Sequence, residues 1–203
     1  MNLDWKLALI PIIAYLLGAV PFGYLLVKRR LGRDIRETGS GNIGATNVAR
    51  SLGGGWGLLT LSLDVAKGAA AFLFARWLAG GDARWEVLAA LAVIFGHMFP
   101  VFLGFHGGKG VATGLGAFVF FSPKAMLAVL VIWVVVVGIW RYVSLGSIQA
   151  TAGFPLFAYQ FERPPTLVAL GVVAGASLII VRHYANIQRL VAGTESRFQF
   201  RKK

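Results

Sequence analysis

Seven apolar runs, at residues 5–27, 56–78, 87–105, 111–121, 125–140, 144–161 and 166–181, leave this chain few ways to fold. A helix that crosses a bilayer needs roughly twenty apolar residues, and most of the runs approach that length. Inside a membrane each backbone polar group must be satisfied internally, so such runs become helices and not open sheet. The composition agrees: 57% of residues are hydrophobic, 14% are charged, and the mean hydropathy is +0.71. A soluble core is the poorer explanation. The fourth run has only eleven residues, so Ser122-Pro123 is expected to turn the chain between two short helices inside the bundle. The expected architecture is all-α, a polytopic integral membrane bundle of seven transmembrane helices, or of five spans plus a re-entrant pair.

The first run is too long for a secretory signal, lacks a basic leader and has no small-residue cleavage site, so it reads as a retained span. No internal repeat or linker divides residues 1–203, which are taken as a single domain ending in a basic tail over 182–203. The net charge is +12, and its carriers cluster at the ends of the runs. One side collects Lys28, Arg29, Arg30, Arg33, Arg36, Arg50, Lys109, Arg141, Arg182, Arg189, Arg197, Arg201, Lys202 and Lys203. The other holds Lys6, Arg76, Arg84, Lys124 and Arg163. Fourteen against five places the first set in the cytoplasm, with the N-terminus outside and the C-terminus cytoplasmic. Attraction to anionic membrane lipids accounts for this charge better than nucleic acid, for which no motif is present. Cysteine is absent, which removes disulfides, thiol nucleophiles and thiolate metal sites.

Three polar segments then share the cytoplasmic side. Residues 104–113 form a glycine-rich loop with one lysine, in which peptide N–H groups and an ammonium suit phosphate oxygens. It is not an NTPase loop, because Leu103 and Gly110 stand where that motif needs a glycine and a hydroxyl. Gly110, Gly114 and Gly116 read as helix packing, whereas a cation such as Lys109 at a membrane helix end is offset by a bound anion. Residues 39–50 formally contain G-x-G-x-x-G, with Asp64 at the distance of a ribose-binding acid. The preceding residues are nevertheless a charged loop and not a strand, so the match is accidental. What remains is Ser, Asn, Thr, Asn and Arg, which offer donors to an oxyanion or cap the next helix through Ser40, Asn42 or Thr46. Both readings stay open for each residue.

Of the three histidines, His97 lies in an apolar run and reads as packing, and His106 as solvated loop. His183 shares a helix face with Asn186, either aimed at the loops or part of an interfacial cluster with Arg182 and Tyr184. No metal-ligand spacing and no Gly-x-Ser-x-Gly elbow occur. The His-x4-Asp dyad of common glycerolipid acyltransferases is also missing, since Phe102, Val111 and Gln188 fall at the acid position. Asp64 and Lys67, three apart in the second run, most simply neutralise one another.

Four segments together carry a resemblance: Gly39-Ser-Gly-Asn-Ile-Gly-Ala-Thr-Asn, the stretch from Gly96-His-Met-Phe-Pro to Gly107-Gly-Lys-Gly-Val-Ala-Thr, Arg141-Tyr-Val-Ser-Leu-Gly-Ser-Ile, and Arg182-His-Tyr-Ala-Asn-Ile. In this order and over nearly the whole chain they resemble the motif set of the bacterial acyl-phosphate:glycerol-3-phosphate acyltransferases, the PlsY family. The resemblance implies a multi-pass enzyme of the bacterial inner membrane with its active site on the cytoplasmic face. Its substrates would be glycerol 3-phosphate and a long-chain acyl phosphate, and its products lysophosphatidic acid and phosphate, without a cofactor or metal. The enzyme that makes the acyl phosphate would be a partner. By the same resemblance Ser40, Asn42, Thr46 and Arg50, with Gly107, Gly108 and Lys109, would hold phosphate groups. Ser144 or Ser147, together with His183 and Asn186, would complete the glycerol phosphate site. Gly146 departs from the pattern, which has a small alanine-like residue there.

Independently of the resemblance, an acyl phosphate carries a good leaving group, so positioning and charge stabilisation can replace a strong base. A transporter of a phosphorylated metabolite is the alternative, but it calls for polar residues at mid-depth in several spans, and apart from Asp64, Lys67 and His97 the interiors are apolar. A lipid-binding scaffold would explain the basic tail and not the Lys109 loop.

Overall fold

The structure, a computed structural model, describes residues 5–198. Among these the regular elements are all helical: α1 (Leu9–Ala19), α2 (Phe22–Leu31), α3 (Ala45–Leu52), α4 (Gly54–Leu78), α5 (Ala83–Met98), α6 (Val111–Phe118), α7 (Pro123–Trp140), α8 (Val143–Glu162), α9 (Thr166–Val181) and α10 (Tyr184–Val191). Arg201, Lys202 and Lys203 of the expected basic tail lie outside the described residues.

Four segments are long and apolar enough to cross a membrane: Trp5–Leu31, Gly54–Leu78, Ala83–Leu103 and Pro123–Trp140. A fifth is added if α9 and α10, bent by 56° at Arg182-His183, count as one span. The expected shallow turn at Ser122-Pro123 takes a different form. Pro123 opens α7, where its missing N–H removes nothing from the helix, and α7 runs for 18 residues and is by itself long and apolar enough to span. The bent pair is α9 with α10 instead. The first run is broken at Val20-Pro21, because proline cannot continue the hydrogen-bond ladder of α1.

The chain forms two compact units that divide after Phe120. In the first, glycines let helix backbones meet. A Cβ on Gly18 of α1 would overlap the Val93 carbonyl of α5, and one on Gly96 of α5 would overlap the Tyr15 carbonyl of α1. Gly68 of α4 and Gly116 of α6 are related in the same reciprocal way, through the carbonyls of Thr113 and Val65. Small residues at facing positions are the usual means of close helix approach in lipid. The packing role expected of Gly116 therefore holds. Gly110 does something else: it precedes α6 with φ +83°, a left-handed conformation that a glycine adopts without strain.

In the second unit α7 packs on α8 and α8 on α9. Gly146 faces α7 so closely that a Cβ would come within 2.8 Å of Val137 Cγ2. The segment after α10 is no free tail. The Phe198 N–H donates to the Arg141 carbonyl at 2.6 Å and Arg197 Nε donates to the Tyr142 hydroxyl at 3.2 Å, folding residues 194–198 back onto the α7–α8 turn.

Candidate active site

In the first unit the loop before α3 is built around one buried amide. The side-chain NH2 of Asn47 is shared among the carbonyls of Ile35, Thr38 and Asn42 at 3.2, 2.9 and 2.9 Å, and its Oδ1 accepts the Ser40 N–H at 3.1 Å. Gly39 and Gly41 turn with φ of +58° and +68°, and a Cβ on Gly39 would strike that Asn47 oxygen. Asn42 takes a local role: its Oδ1 accepts the Gly44 N–H at 2.8 Å at the entrance to α3. This bond closes a turn ahead of the helix: α3 begins after Gly44 with no side-chain cap, so the capping alternative is not realised by Ser40, Asn42 or Thr46. Ser40 stays exposed, and Thr46 and Arg50 are half-buried on α3. Asn47 was missed as the organiser, because nothing in its sequence neighbourhood separates a buried amide from an exposed one.

Beside this loop lies an open cleft of about 260 Å³ lined by Val27, Leu31, Arg33, Thr38, Gly39, Arg50 and Ser51. Two guanidinium groups against an apolar wall suit an amphiphilic anion.

The glycine loop is joined to the same region. Ile35, Ile43 and Val48 of the first motif region pack with Val27 and Leu103 in one buried cluster. Arg36 donates to the Leu103 carbonyl at 3.2 Å while paired with Asp34 at 2.6 Å. The hydrogen bonds from Arg36 hold the Asp34 carboxyl below its usual range. The glycine loop then folds back on α5: the Gly107 N–H donates to the Met98 carbonyl at 3.2 Å and the Gly108 N–H to the His97 carbonyl at 3.0 Å. This corrects the expectation that these two N–H groups serve phosphate oxygens. They are engaged within the fold, and the glycines are needed because a Cβ on either would overlap His97. Lys109 follows, half-buried, immediately before the α6 N-terminus, where the first-turn N–H groups lack intrahelical partners. His106 is exposed in the loop, as expected, with Nδ1 2.6 Å from the Gly104 carbonyl.

In the second unit the predicted residues gather around one that sequence reasoning missed. Glu195 accepts from Ser144 Oγ at 2.7 Å, Asn186 Nδ2 at 2.7 Å and Arg189 Nε at 2.7 Å. Burial pushes the Glu195 carboxyl up, but the hydrogen bonds from Ser144, Arg189 and Asn186 together outweigh it and hold the group below the usual carboxylate range. Ser144 thereby joins Asn186, whereas Ser147 accepts from Trp133 Nε1 at 3.2 Å and faces α7. His183 is buried at the bend before α10, with Nδ1 2.8 Å from the Ile179 carbonyl. A carbonyl only accepts, so Nδ1 carries the proton and Nε2 is the basic nitrogen of the neutral ring.

The sequence model of the glycerol-3-phosphate acyltransferase family matches residues 8–193. A protein of that name from Geobacter sulfurreducens is 49% identical over 187 residues, covering 92% of this chain and 95% of the relative. Another from Trichlorobacter lovleyi is 47% identical over 92% of this chain and 94% of its own. The fold also matches crystal structures of PlsY (YgiH), an integral membrane glycerol 3-phosphate acyltransferase. Its glycerol 3-phosphate form aligns with a TM-score of 0.89 at 43% identity, covering 96% of both chains. The lysophosphatidic acid form gives 0.86 at 42% identity, also over 96% of both. With its motifs in order and its helices matched nearly end to end, the chain belongs to the glycerol-3-phosphate acyltransferase family.

Proposed function

We propose that the protein transfers a fatty acyl group from a long-chain acyl phosphate to the sn-1 hydroxyl of glycerol 3-phosphate, giving lysophosphatidic acid and inorganic phosphate. The observation that carries this reading is the junction, within the first unit, of the Ser40–Arg50 segment with the glycine loop bearing Lys109. In a member of this family, the segments so joined carry the cations Arg50 and Lys109 and hydroxyls of the kind phosphate esters require. Family membership also favours an acyltransferase over the transporter.

In the reaction the sn-1 oxygen attacks the acyl carbonyl carbon, the bond from that carbon to the phosphate oxygen breaks, and phosphate leaves with the electron pair. The hydroxyl proton passes to a phosphate oxygen of the substrate, with His183 Nε2 as a lesser acceptor. Lys109 and Arg50 hold the anionic oxygens, and cations already in place stabilise the charge that develops in the transition state. Ser40 and Thr46 add hydroxyl donors. Asn42 shapes the loop, and Gly107 and Gly108 permit the close approach. In the second unit Ser144, His183 and Asn186 take the glycerol phosphate, and Ser147 stands one helical turn further along α8. The reading takes residues 1–203 as a single acyltransferase domain.

The finer topology belongs to the same proposal: seven helices in the bacterial inner membrane, the N-terminus outside, and the active site and C-terminus cytoplasmic. The charge bias supports it, and α8, at 20 residues, has the length to cross. The deciding experiment incubates detergent-purified protein with palmitoyl phosphate and labelled glycerol 3-phosphate. Lysophosphatidic acid is the expected product. Its appearance with acyl-CoA or acyl carrier protein alone would assign another donor. In the same assay His183→Gln retains measurable turnover; complete loss with both substrates still bound would make His183 the base.

A further inference from the structure

One buried ionic cluster has side chains to which the proposed reaction assigns no role. Asp64 and Lys67 on α4 and His97 on α5 are 3%, 3% and 4% exposed. Charges among membrane helices are costly unless paired, and Lys67 Nζ lies 2.8 Å from Asp64 Oδ1, which accounts for those two. Mutual neutralisation does not account for the third member. His97 Nδ1 stands 3.6 Å from the same Asp64 oxygen. Two further contacts of His97 go to the glycine loop: its carbonyl accepts the Gly108 N–H at 3.0 Å, and its imidazole fills the space a Cβ on Gly108 would need. At the opposite end Lys67 donates to the Val20 carbonyl at 3.0 Å, at the break between α1 and α2, and its ammonium lies 5.6 Å from the Phe22 ring centre.

These contacts join five points in sequence, from the break in the first span at Val20, through Lys67, Asp64 and His97, to Gly108, the residue before Lys109. We propose that Asp64, Lys67 and His97 are positioning residues, which set the orientation of the His97 ring under Gly108 and so the placement of the Lys109 ammonium on the phosphate. This inference rests on Lys109 being the phosphate-holding cation. The backbone bonds of Gly107 and Gly108 survive any side-chain change at these positions. A substitution therefore alters how the loop is seated and leaves the loop in place. Orientation of a histidine ring by a neighbouring carboxylate is best attested at metal sites, where its loss lowers metal affinity or activity about 10-fold to 100-fold, and the same geometric argument applies to a ring seated under a loop. A misplacement of about 1 Å at the reacting groups has an effect of similar size.

Four purified proteins in detergent test this with palmitoyl phosphate and glycerol 3-phosphate: the unaltered chain, Lys109→Ala, His97→Phe, and Asp64→Asn combined with Lys67→Gln. His97→Phe keeps a ring against Gly108 without nitrogens, and the double change removes both charges together so that no unpaired ion is left buried. The expected result is a kcat about 10-fold to 100-fold lower for both, with KM for glycerol 3-phosphate changed by less than about threefold and the thermal midpoint within about 4 °C of the unaltered chain. Unchanged kcat in His97→Phe overturns the proposal. So does a kcat loss that follows a loss of thermal midpoint, which assigns a structural role. If the double variant does not fold, His97→Phe alone carries the test. Lys109→Ala separates the two levels: full turnover there refutes Lys109 as the phosphate cation and the positioning role with it. Lost turnover there with intact His97→Phe refutes the positioning role only.

Discussion

Glu195 shows how a residue without a motif can hold a site together. Its carboxylate takes three donors, Ser144 from α8 and Asn186 and Arg189 from α10, with its side chain only 8% exposed. Ser144 and Asn186 share Oε1 while Arg189 Nε uses Oε2, so an amide here keeps one oxygen to accept but turns an NH2 group toward one of the three donors and removes the charge that strengthens all three bonds. Hydrogen bonds to charged groups contribute about 1.5–3 kcal/mol each, so Glu195→Gln is expected to lower the thermal midpoint and to weaken glycerol 3-phosphate binding through Ser144 and Asn186. Because the folded carboxyl is held below its ordinary value, its stabilisation is fully present above about pH 4.3 and is lost as the pH falls through the folded pKa. A thermal midpoint measured against pH should therefore fall on the acid side in the unaltered chain and fall less in Glu195→Gln. Equal acid sensitivity of the two would refute the assignment. His183 and Asn186 were recognisable from their shared helix face, but Glu195, nine residues beyond Asn186, becomes a neighbour only because residues 194–198 fold back.

Helix contacts explain why small residues recur in this chain without marking ligand sites. Gly68 and Gly116 bring α4 and α6 to backbone distance, and α6 starts one residue after Gly110 and two after Lys109. Gly116→Val must push the two helices apart, an overpacking strain of about 1–3 kcal/mol. Lower thermal stability and reduced turnover are both expected in the purified variant. Gly138, on α7, has no atom within 4 Å of a built Cβ, so Gly138→Ala should leave stability within about 0.5 kcal/mol. Equal losses in the two variants would refute the packing assignment. The periodic small residues were legible as packing in the sequence. Which glycine instead turns the chain was not, since both Gly110 and Gly116 sit at the small-residue spacing of a packing face and only Gly110 has a positive φ.

For the molecule as a whole the membrane dominates. Leu127, Val131, Val134 and Ile139 of α7 are exposed on a helix long enough to span, an apolar surface that only lipid or another apolar partner covers. The proposed orientation is open to a direct test because the chain has no cysteine, so single cysteines need no altered background. Ser51→Cys and Gly193→Cys should react with a membrane-impermeant maleimide only after inverted vesicles expose the cytoplasmic face, and Gly80→Cys only in intact cells. Labelling of Gly193→Cys and Gly80→Cys from the same side would refute opposite faces for the α4–α5 turn and the C-terminal segment.

Long apolar runs and four ordered motifs were enough for membrane helices and the family, and they nominated the candidate residues, because hydrophobic length and local spacing are properties of the chain itself. Asn47 as organiser, Glu195 as shared acceptor, the engaged N–H groups of Gly107 and Gly108, and the line from Lys67 through Asp64 to His97 required the folded chain. Each depends on which groups are buried together, and hydrogen bonds between residues distant along the chain have no signature in local sequence.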